Sequence, residues 1–261
     1  MNIENKIFVI TGAGSGIGRA LAIGLSAKGA RLLLVGRNEE TLSQTVSMLE
    51  NTDNAKIIVG DVTKDDTRKA IQQTATKEFG GIDVLINNAG VSIVGELSSQ
   101  SDDDLRSMME INLLAPMQLV RDLMDLLEKS ESPRIVNVGS MFGDIAFPLF
   151  AGYSATKFGL RGLSDALRRE LAPRGIGVLY AAPRGTETNA TPAQRHLTEP
   201  FEMKLDAPMV PAANIISALE SDARSSYPKS IERLFVLVSR LFPSVIDGKL
   251  IKQLKRVQTS R

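Results

Sequence analysis

Residues 6–18 read Lys-Ile-Phe-Val-Ile-Thr-Gly-Ala-Gly-Ser-Gly-Ile-Gly, an apolar run that leads directly into a glycine-rich turn. From Arg19 to Lys28 the apolar residues recur at helical spacing. A strand, a glycine turn and a helix N-terminus together form an anion site, because glycines let the backbone approach a pyrophosphate and the helix dipole favours its charge. A structural tight turn is the alternative, since the spacing is looser than Gly-x-Gly-x-x-Gly. The flanking strand and helix favour dinucleotide binding.

The same order of strand and helix repeats along the chain as far as residue 182. Segments with helical spacing separate short apolar runs typical of strands, which occupy residues 6–10, 31–35, 56–62, 82–86, 134–139 and 177–182. Strands that alternate with helices predict a doubly wound parallel sheet, the α/β arrangement called the Rossmann fold, flanked by helices. We expect residues 1–261 to form a single domain with a helical C-terminal extension.

Composition excludes several classes of protein. The 31 basic and 30 acidic residues are interleaved, which is not the pattern of a nucleic-acid-binding surface. The absence of cysteine excludes disulfides, thiolate metal sites and thiol catalysis. His196 has no second histidine with which to build a metal site, so we interpret it as a surface or pocket-wall residue. Without a signal-peptide pattern or an apolar run of membrane-spanning length, we expect a cytoplasmic protein.

The end of the second strand carries information about the cofactor. An NAD site usually presents an acidic residue here to hold the ribose hydroxyls, whereas an arginine accommodates the 2′-phosphate of NADP. In this chain the strand ends in Gly36, Arg37 and Asn38, with no Asp or Glu beside them. Arg37 therefore indicates NADP(H). The alternative is an ordinary exposed arginine ahead of the helix predicted for residues 39–50.

Residues 135–157 contain the candidate catalytic groups. A buried strand delivers Ser140 at its carboxyl end, and Tyr153 and Lys157 lie four residues apart on one face of the next helix. A free tyrosine has a pKa of about 10, and a nearby ammonium favours the phenolate and lowers that pKa towards the working pH. Ser140 is able to hydrogen-bond the same substrate oxygen. A half-exposed helix face is the alternative explanation for the tyrosine and lysine alone.

Three further polar features accompany predicted strands and helices. Asp61 lies at the carboxyl end of the third strand, where ligands gather in such sheets. Residues 87–90, Asn-Asn-Ala-Gly, predict a turn that ties neighbouring strand ends. Asn112 lies among apolar residues in a helix that we predict from Ser98 or Ser101 to Glu128, with a bend at Pro116. A satisfied core amide is one interpretation of Asn112.

Taken together, these residues resemble the short-chain dehydrogenase/reductase family in its single-domain branch. The matches occur in family order and cover residues 6 to about 190: Thr11, Gly12, Gly16, Gly18, Asp61, Asn87, Asn88, Ala89, Gly90, Asn112, Ser140, Tyr153, Lys157, Pro183 and Thr188. Two departures stand out. Arg184 occupies a position where the family usually has glycine, for which Gly185 is a candidate replacement, and the usual Gly-rich last strand is missing.

The resemblance implies a role for each matched residue. Asn112, Ser140, Tyr153 and Lys157 would form a catalytic tetrad, in which the lysine also holds the nicotinamide ribose and the asparagine fixes a water that connects the lysine to solvent. Asp61 would contact the adenine and Thr188 the nicotinamide carboxamide. The full set of expected cofactor-binding residues is Gly12, Ser15, Gly16, Ile17, Gly18, Arg37, Asn38, Asp61, Val62, Asn88, Ala89, Gly90, Tyr153, Lys157, Pro183, Thr186 and Thr188.

The last third of the chain has a different pattern. Residues 188–211 are polar and contain prolines, so they are a candidate substrate lid. Residues 212–221 predict a helix and residues 224–227 a short edge strand. Residues 228–261 are apolar and basic, and they resemble the tails of steroid- and lipid-directed family members. This tail could cover the core, the substrate mouth or a subunit contact, or it could rest on a membrane surface, and we favour packing over membrane contact.

From these features we expect an NADP(H)-dependent oxidoreductase that interconverts a ketone and a secondary alcohol, with a hydrophobic (lipid-, steroid- or acyl-like) substrate. A non-catalytic NADP(H)-binding sensor or scaffold and an NAD-dependent dehydrogenase are the alternatives. The resemblance also implies a homodimer or homotetramer. No nucleic-acid partner and no metal are expected, and membrane contact would be peripheral, through the tail.

Overall fold

The computed structural model describes residues 1–187, 197, 201–228 and 232–259. The strands are β1 (Ile7–Thr11), β2 (Arg31–Gly36), β3 (Ala55–Val59), β4 (Val84–Asn87), β5 (Arg134–Val138), β6 (Gly177–Ala181) and β7 (Ser225–Ser226). The helices are α1 (Gly16–Ser26), α2 (Glu39–Ser47), α3 (Asp65–Thr74), α4 (Asp102–Met109), α5 (Ala115–Asp122), α6 (Met124–Leu127), α7 (Ala151–Glu170), α8 (Met209–Glu220), α9 (Glu232–Leu241) and α10 (Pro243–Thr259).

All seven strands are parallel, in the order β3-β2-β1-β4-β5-β6-β7. The predicted doubly wound sheet is therefore confirmed, and the edge strand expected near residues 224–227 is β7. The chain reverses its direction of travel across the sheet between β3 and β4, which lie on opposite sides of β1. In an open α/β sheet, this switch point leaves a crevice at the carboxyl ends of the strands, where ligands bind.

Alternate side chains of the strands supply two hydrophobic layers. In β1, Phe8 and Ile10 pack with residues of α1 and α8 on one face of the sheet. Val9 packs on the other face, with Ile71 of α3 and Leu119 of α5. This follows from the two-residue period of a strand, and burial of both faces explains why the parallel strands are almost continuously apolar.

The long helix predicted from Ser101 to Glu128 is interrupted. Ser101 caps α4, because its hydroxyl accepts a hydrogen bond from the backbone N–H of Asp104 and the Asp104 carboxylate accepts one from the N–H of Ser101. A π-helical turn, Glu110–Leu114, then separates α4 from α5. Pro116 follows that turn and lacks the N–H that a regular α-helix requires, so the backbone widens where we predicted a bend.

The C-terminal helices α9 and α10 form a hairpin with two different faces. Among the hairpin side chains whose burial the structure describes, Val236, Leu250, Gln253 and Val257 are buried. The opposite face exposes large apolar side chains, namely Leu234, Leu237, Leu241, Phe242, Val245 and Ile251. No helix in the described ranges combines the length and the apolar character needed to cross a bilayer.

The candidate lid, residues 188–211, is described only in part. Thr188 and His196 lie outside the described residues, as does most of residues 188–200. Of the lid residues that the structure describes, Leu197 and Phe201 are buried against Phe150, and Met209 already belongs to α8. The second half of the predicted lid therefore includes packed side chains and the start of a helix.

Candidate active site

The glycine turn after β1 leaves the N-terminus of α1 open towards a cavity. Ser15 is the N-cap residue, but its side chain accepts no backbone hydrogen bond, and the first turn of α1 contains no acidic residue. The first N–H groups of a helix have no partners within the helix, so an uncapped end favours an anion. Ser15, Gly16 and Ile17 all line the cavity.

The turn depends on glycine for its backbone and for its close contacts. Gly12 has a φ of 67° and Gly16 a φ of 53°, in the left-handed region that glycine occupies readily. A Cβ atom on Gly12 would lie 2.9 Å from Cα of Ala89, which is a steric clash. Gly18 does not line the cavity. A Cβ on it would instead collide with the Gly12 carbonyl, so Gly18 serves the packing of α1 against the turn.

Arg19 holds the glycine turn from the side. Its guanidinium donates to the carbonyl of Gly14, to the carbonyl of Thr41 at 3.2 Å and to the hydroxyl of Thr45 at 3.1 Å. It therefore joins the turn to α2. This role of Arg19 was not predicted, since the glycine pattern alone does not show what an arginine at this position contacts.

The end of β2 brings Arg37 and Asn38 to the same cavity, and the end of β3 brings Asp61 and Val62. Burial alone would raise the pKa of Asp61, but hydrogen bonds from the N–H and hydroxyl of Thr63, both at 2.9 Å, and the charges of Arg37 and Lys64 hold its pKa below the usual value. Asp61 is thus a carboxylate. The Asn38 side chain accepts from the N–H of Thr41 at 2.9 Å and caps α2.

Asn88 ties two strand ends together, as the doubled asparagine predicted. Its amide donates to the carbonyl of Thr11 at 2.8 Å and to that of Gly12 at 3.2 Å. The Thr11 hydroxyl in turn accepts from the backbone N–H groups of Asn88 and Ala89, each at 3.0 Å. These bonds fix the end of β4 beside the glycine turn, and Asn88, Ala89 and Gly90 line the cavity.

Ser140, Tyr153 and Lys157 meet on the wall of this cavity. Ser140 follows β5, and its hydroxyl accepts from the N–H of Phe142 at 3.1 Å and interacts with the hydroxyl of Tyr153. Lys157 lies one helical turn after Tyr153 on α7. Its Nζ donates to the Val138 carbonyl at 3.0 Å and lies 5.7 Å from the centre of the Tyr153 ring.

The pKa of Tyr153 differs from our expectation. Burial raises the pKa of Tyr153 to about 12, against the opposing effect of the Ser140 hydroxyl. Burial also lowers the pKa of Lys157 to about 8. The spacing of the two residues predicted a lowered tyrosine pKa, and in the protein alone that prediction is wrong in sign. The reason is desolvation, which disfavours both charged forms and which the sequence does not reveal.

The side chain of Asn112 is a satisfied core amide. Its Oδ1 accepts from the N–H of Val91 at 2.8 Å, and its Nδ2 donates to the carbonyl of Val91 at 2.8 Å and to the hydroxyl of Thr156 at 3.0 Å. Asn112 does not line the cavity, but a Cβ on Gly90 would come within 3.1 Å of its Oδ1 and 3.5 Å of Lys157 Nζ. Because Pro116 has no N–H, the backbone carbonyl of Asn112 has no α-helical donor four residues on.

Arg184, the departure from the family pattern, has a clear structural partner. Its guanidinium donates two hydrogen bonds of 2.8 Å to the carboxylate of Asp206. Gly185 and Asp206 are also joined through their backbones, at 2.8 Å, and Thr186 forms an isolated bridge with Asp206. Arg184 therefore ties the end of β6 to residue 206. Pro183, Arg184, Gly185 and Thr186 all line the cavity.

Two groups of cavity residues were not singled out from the sequence, although coverage of the substrate mouth was one of the possibilities for the C-terminal tail. The loop after Ser140 contributes an aromatic wall, in which the rings of Phe142 and Phe147 stack at 4.6 Å. The C-terminal hairpin contributes a second wall, formed by Phe235, Ile246, Lys249, Leu250 and Gln253. The cavity has a volume of about 1210 Å³. Sites for one drug-sized ligand measure roughly 300–1,000 Å³, so this cavity has room for a cofactor and a substrate.

Comparison with known proteins identifies the family. A family model described as short chain dehydrogenase matches residues 6–198 of the 261 residues. The chain belongs to the short-chain dehydrogenase family. Membership makes it an oxidoreductase and implies a nicotinamide dinucleotide as cofactor. Three features of the site fit such a group: the uncapped N-terminus of α1, the turn in which only glycine fits at position 12, and the Asp61 carboxylate.

Several curated short-chain dehydrogenases are similar in sequence. The 3-oxoacyl-acyl-carrier-protein reductase FabG of Vibrio cholerae is 34% identical over 193 residues, which cover 74% of this chain and 78% of the relative. The corresponding reductase of Escherichia coli is 36% identical over the same shares of both chains. An uncharacterized oxidoreductase of Staphylococcus aureus is 31% identical over 205 residues, or 77% of this chain and 88% of the relative.

Proposed function

We propose that this short-chain dehydrogenase uses NADP(H) to interconvert a ketone and a secondary alcohol on a hydrophobic substrate. The observation that carries the proposal is a single cavity with two kinds of wall. The uncapped N-terminus of α1 lines one part of it, and Ser140, Tyr153 and Lys157 line another. An anion site and an acid–base group that share one cavity are what dinucleotide-dependent carbonyl chemistry requires.

The proposed role of Tyr153 is proton transfer at the substrate oxygen. The chemistry that a bound nicotinamide supplies is hydride transfer to or from the substrate carbon. Since burial raises the pKa of Tyr153 to about 12, the phenol is protonated at neutral pH and is ready to donate when a carbonyl is reduced. The resting protonation state of Tyr153 is therefore the one that ketone reduction requires.

Ser140 and Lys157 would assist that transfer in different ways. The Ser140 hydroxyl interacts with the Tyr153 hydroxyl and is able to hydrogen-bond the same substrate oxygen. The Lys157 ammonium, 5.7 Å from the tyrosine ring, would stabilise the phenolate that forms when the proton leaves. Asn112 would contribute through its backbone carbonyl, which has no α-helical donor, because its side chain is already bonded to Val91 and Thr156.

Arg37 supports NADP(H) over NAD(H). It is exposed at the rim of the cavity, directly after β2, where an acidic residue would otherwise bind the ribose hydroxyls. A guanidinium forms paired hydrogen bonds with phosphate oxygens, which gives the 2′-phosphate a specific partner. The carboxylate of Asp61 would accept a hydrogen bond from the adenine amino group.

The walls of the cavity support a hydrophobic substrate. Phe142, Phe147, Phe150 and Phe201 line it from one side, and Phe235 lines it from the C-terminal hairpin. Similarity to reductases named for 3-oxoacyl-acyl-carrier-protein also supports a carbonyl carried on an apolar chain. The hairpin lies beyond residues 6–198, so its part of the cavity wall is outside the region that the family model matches.

The test is consumption of NADPH with a panel of aliphatic and aromatic ketones, for the full-length protein and for Tyr153→Phe. We expect the wild-type protein to reduce apolar ketones. Tyr153→Phe should retain NADPH binding but lose at least about 100-fold in turnover, the usual contribution of general acid catalysis. Normal turnover in Tyr153→Phe would rule out the proposed role. NADPH binding without turnover of any ketone in the wild-type protein would favour a non-catalytic sensor.

A further inference from the structure

Gln253 is a buried amide on the substrate wall that makes no hydrogen bond within the described residues. Its exposed fraction is 3%, and it lines the cavity from α10. A primary amide has two N–H donors and a carbonyl acceptor, and buried polar groups of this kind nearly always have partners. A ligand in the cavity is a natural source of the missing hydrogen bonds.

The neighbours of Gln253 on the hairpin make it unusual. The buried positions of α10 follow helical spacing, with Leu250 one turn before Gln253 and Val257 one turn after it. A leucine at position 253 would extend this apolar stripe and bury more apolar surface. Packing alone therefore gives no reason for an amide at this point of the helix.

The other polar hairpin residue that lines the cavity already has a countercharge. Lys249 Nζ lies 3.3 Å from the carboxylate of Glu202, which also lies 3.7 Å from Arg256. The loop after β5 contributes apolar side chains to the same cavity, namely Met141, Phe142, Ile145 and Phe147. Gln253 is thus a cavity-lining amide without a hydrogen-bond partner among the described residues, in a cavity with several apolar wall residues. This combination favours a ligand with an apolar body and a hydrogen-bonding group at one point.

We propose that Gln253 is a substrate-recognition residue, and that the substrate carries a second hydrogen-bonding group, a hydroxyl or a carbonyl, in addition to the carbonyl that is reduced. This inference rests on the proposed function and narrows the substrate class. The second group lies at a fixed separation from the reacting carbonyl, because Tyr153 and Gln253 each bind one end of a largely apolar molecule.

The test uses two parallel series of methyl ketones of increasing chain length, one plain and one with a terminal hydroxyl. For each length, kcat/KM with NADPH is measured for the full-length wild-type protein, for Gln253→Leu and for Gln118→Leu. The last variant is the matched control, since Gln118 is an amide on α5 that does not line the cavity. The quantity compared is the ratio of kcat/KM for the hydroxylated ketone to that for the plain ketone.

We expect this ratio to rise within a narrow range of chain lengths, by up to about tenfold for one neutral hydrogen bond. It should fall to about one in Gln253→Leu and keep its wild-type value in Gln118→Leu. A ratio that Gln253→Leu leaves unchanged overturns the inference. So does a loss of NADPH affinity in Gln253→Leu that affects all ketones equally, since Gln253 would then serve the cofactor.

A binding measurement separates this inference from the proposed function. The hydroxylated ketones are titrated calorimetrically into the wild-type protein and Gln253→Leu in the presence of NADP⁺, so that no turnover is needed. Binding that depends on chain length and weakens in Gln253→Leu supports the site even if no ketone is reduced. Absence of binding in the wild-type protein, or equal binding by both proteins, overturns it whatever the activity of Tyr153.

Discussion

Tyr153 and Lys157 have opposite pKa shifts with one cause, the burial of both groups in the cavity wall. The pKa of Tyr153 is raised to about 12 and that of Lys157 is lowered to about 8. At neutral pH the site therefore holds a protonated phenol beside an ammonium. As pH rises through the lower of the two values, the ammonium is lost first, and with it the charge that stabilises a developing phenolate.

This order of titration predicts the pH dependence of the two directions. For ketone reduction, kcat/KM should be flat near neutral pH and should decline above about pH 8, as Lys157 loses its proton. Alcohol oxidation should be weak at neutral pH, because the phenol must first lose a proton. Initial rates in both directions across the pH range check this.

Lys157→Arg is the informative variant for that experiment, since a guanidinium stays charged throughout the accessible range. If it retains activity, the decline of ketone reduction should move to higher pH. A wild-type profile for reduction that remains flat well beyond the pKa of Lys157 would contradict the proposed role of its charge.

Arg37 determines the choice of cofactor in the proposed function. Replacement by aspartate removes the cation that would bind the 2′-phosphate and puts a carboxylate beside the ribose. We expect Arg37→Asp to lower kcat/KM for NADPH by about 10- to 100-fold, as for one charged hydrogen-bonded contact, and to improve use of NADH. Arg106→Asp is the control, because Arg106 is an exposed arginine on α4 that does not line the cavity. Equal NADPH kinetics in Arg37→Asp and the wild-type protein would contradict the assignment.

Among the elements, the loop between β5 and α7, α7 itself and the C-terminal hairpin meet at one buried carboxylate. The side chain of Asp144 is fully buried and pairs with Arg161 of α7 and, at 3.2 Å, with Arg240 of α9. The hydroxyl of Tyr227 also donates to it at 3.1 Å. Burial raises the pKa of Asp144 in spite of the two guanidinium groups, so its charge depends on keeping both of them close.

Asp144→Asn should therefore destabilise the protein. In this variant Arg161 and Arg240 both lose the carboxylate that neutralises them. Removal of one partner of a buried ion pair costs roughly 3–5 kcal/mol of unfolding free energy. We expect about 3 kcal/mol, because both guanidinium groups are partly exposed. Denaturant unfolding measures the difference. Asp165→Asn, which breaks the more exposed pair with Arg168, should cost less than about 1 kcal/mol. Equal losses in the two variants would show that Asp144 is not the junction.

The boundaries of elements show what the sequence could reveal. Apolar runs located β1, β2 and β4 to within a few residues, because a buried parallel strand is continuously apolar whatever packs on it. The π-helical turn before Pro116 was not predicted. A proline indicates only that a hydrogen bond is missing, whereas the backbone geometry that results depends on the packing of α5 and α7 around it.

Over the whole molecule, the sequence predicted which residues lie at the strand ends, but not which residues outside the sheet contact one another. The strand ends gave the positions of Asp61, Asn88 and Ser140, since carboxyl ends of parallel strands meet at one edge. The apolar and basic tail was a candidate cover for the substrate mouth, but its pattern did not identify Gln253 and Phe235 as residues that line the same cavity as Ser140. Nor did it reveal the partner of Arg184, Asp206, which lies 22 residues further along the chain.

Two exposed apolar surfaces remain as candidates for contact between subunits. The first lies on α4, α5 and α7 and on the π-helical turn: Met109, Leu114, Met117 and Phe158. Gly159 lies against Leu113, which brings Phe158 close to that turn. The second is the outer face of the hairpin, which includes Leu237 and Leu241. Resemblance to the family predicts pairing through the helices after β4 and β5, so we infer that the first surface is the subunit contact.

A charged residue placed on each surface in turn distinguishes them. If the first surface forms the contact, Phe158→Glu should lower the mass of the assembly in solution, because a carboxylate in an apolar interface would have to lose its hydration without gaining a partner. Leu237→Glu, on the outer face of the hairpin, should leave the mass unchanged and is the matched control. Light scattering after gel filtration measures both. A fall in mass for Leu237→Glu alone would reverse the assignment. If the wild-type protein is a monomer, neither surface pairs subunits, and flotation of Leu237→Glu with anionic liposomes would then test whether the hairpin contacts a membrane instead.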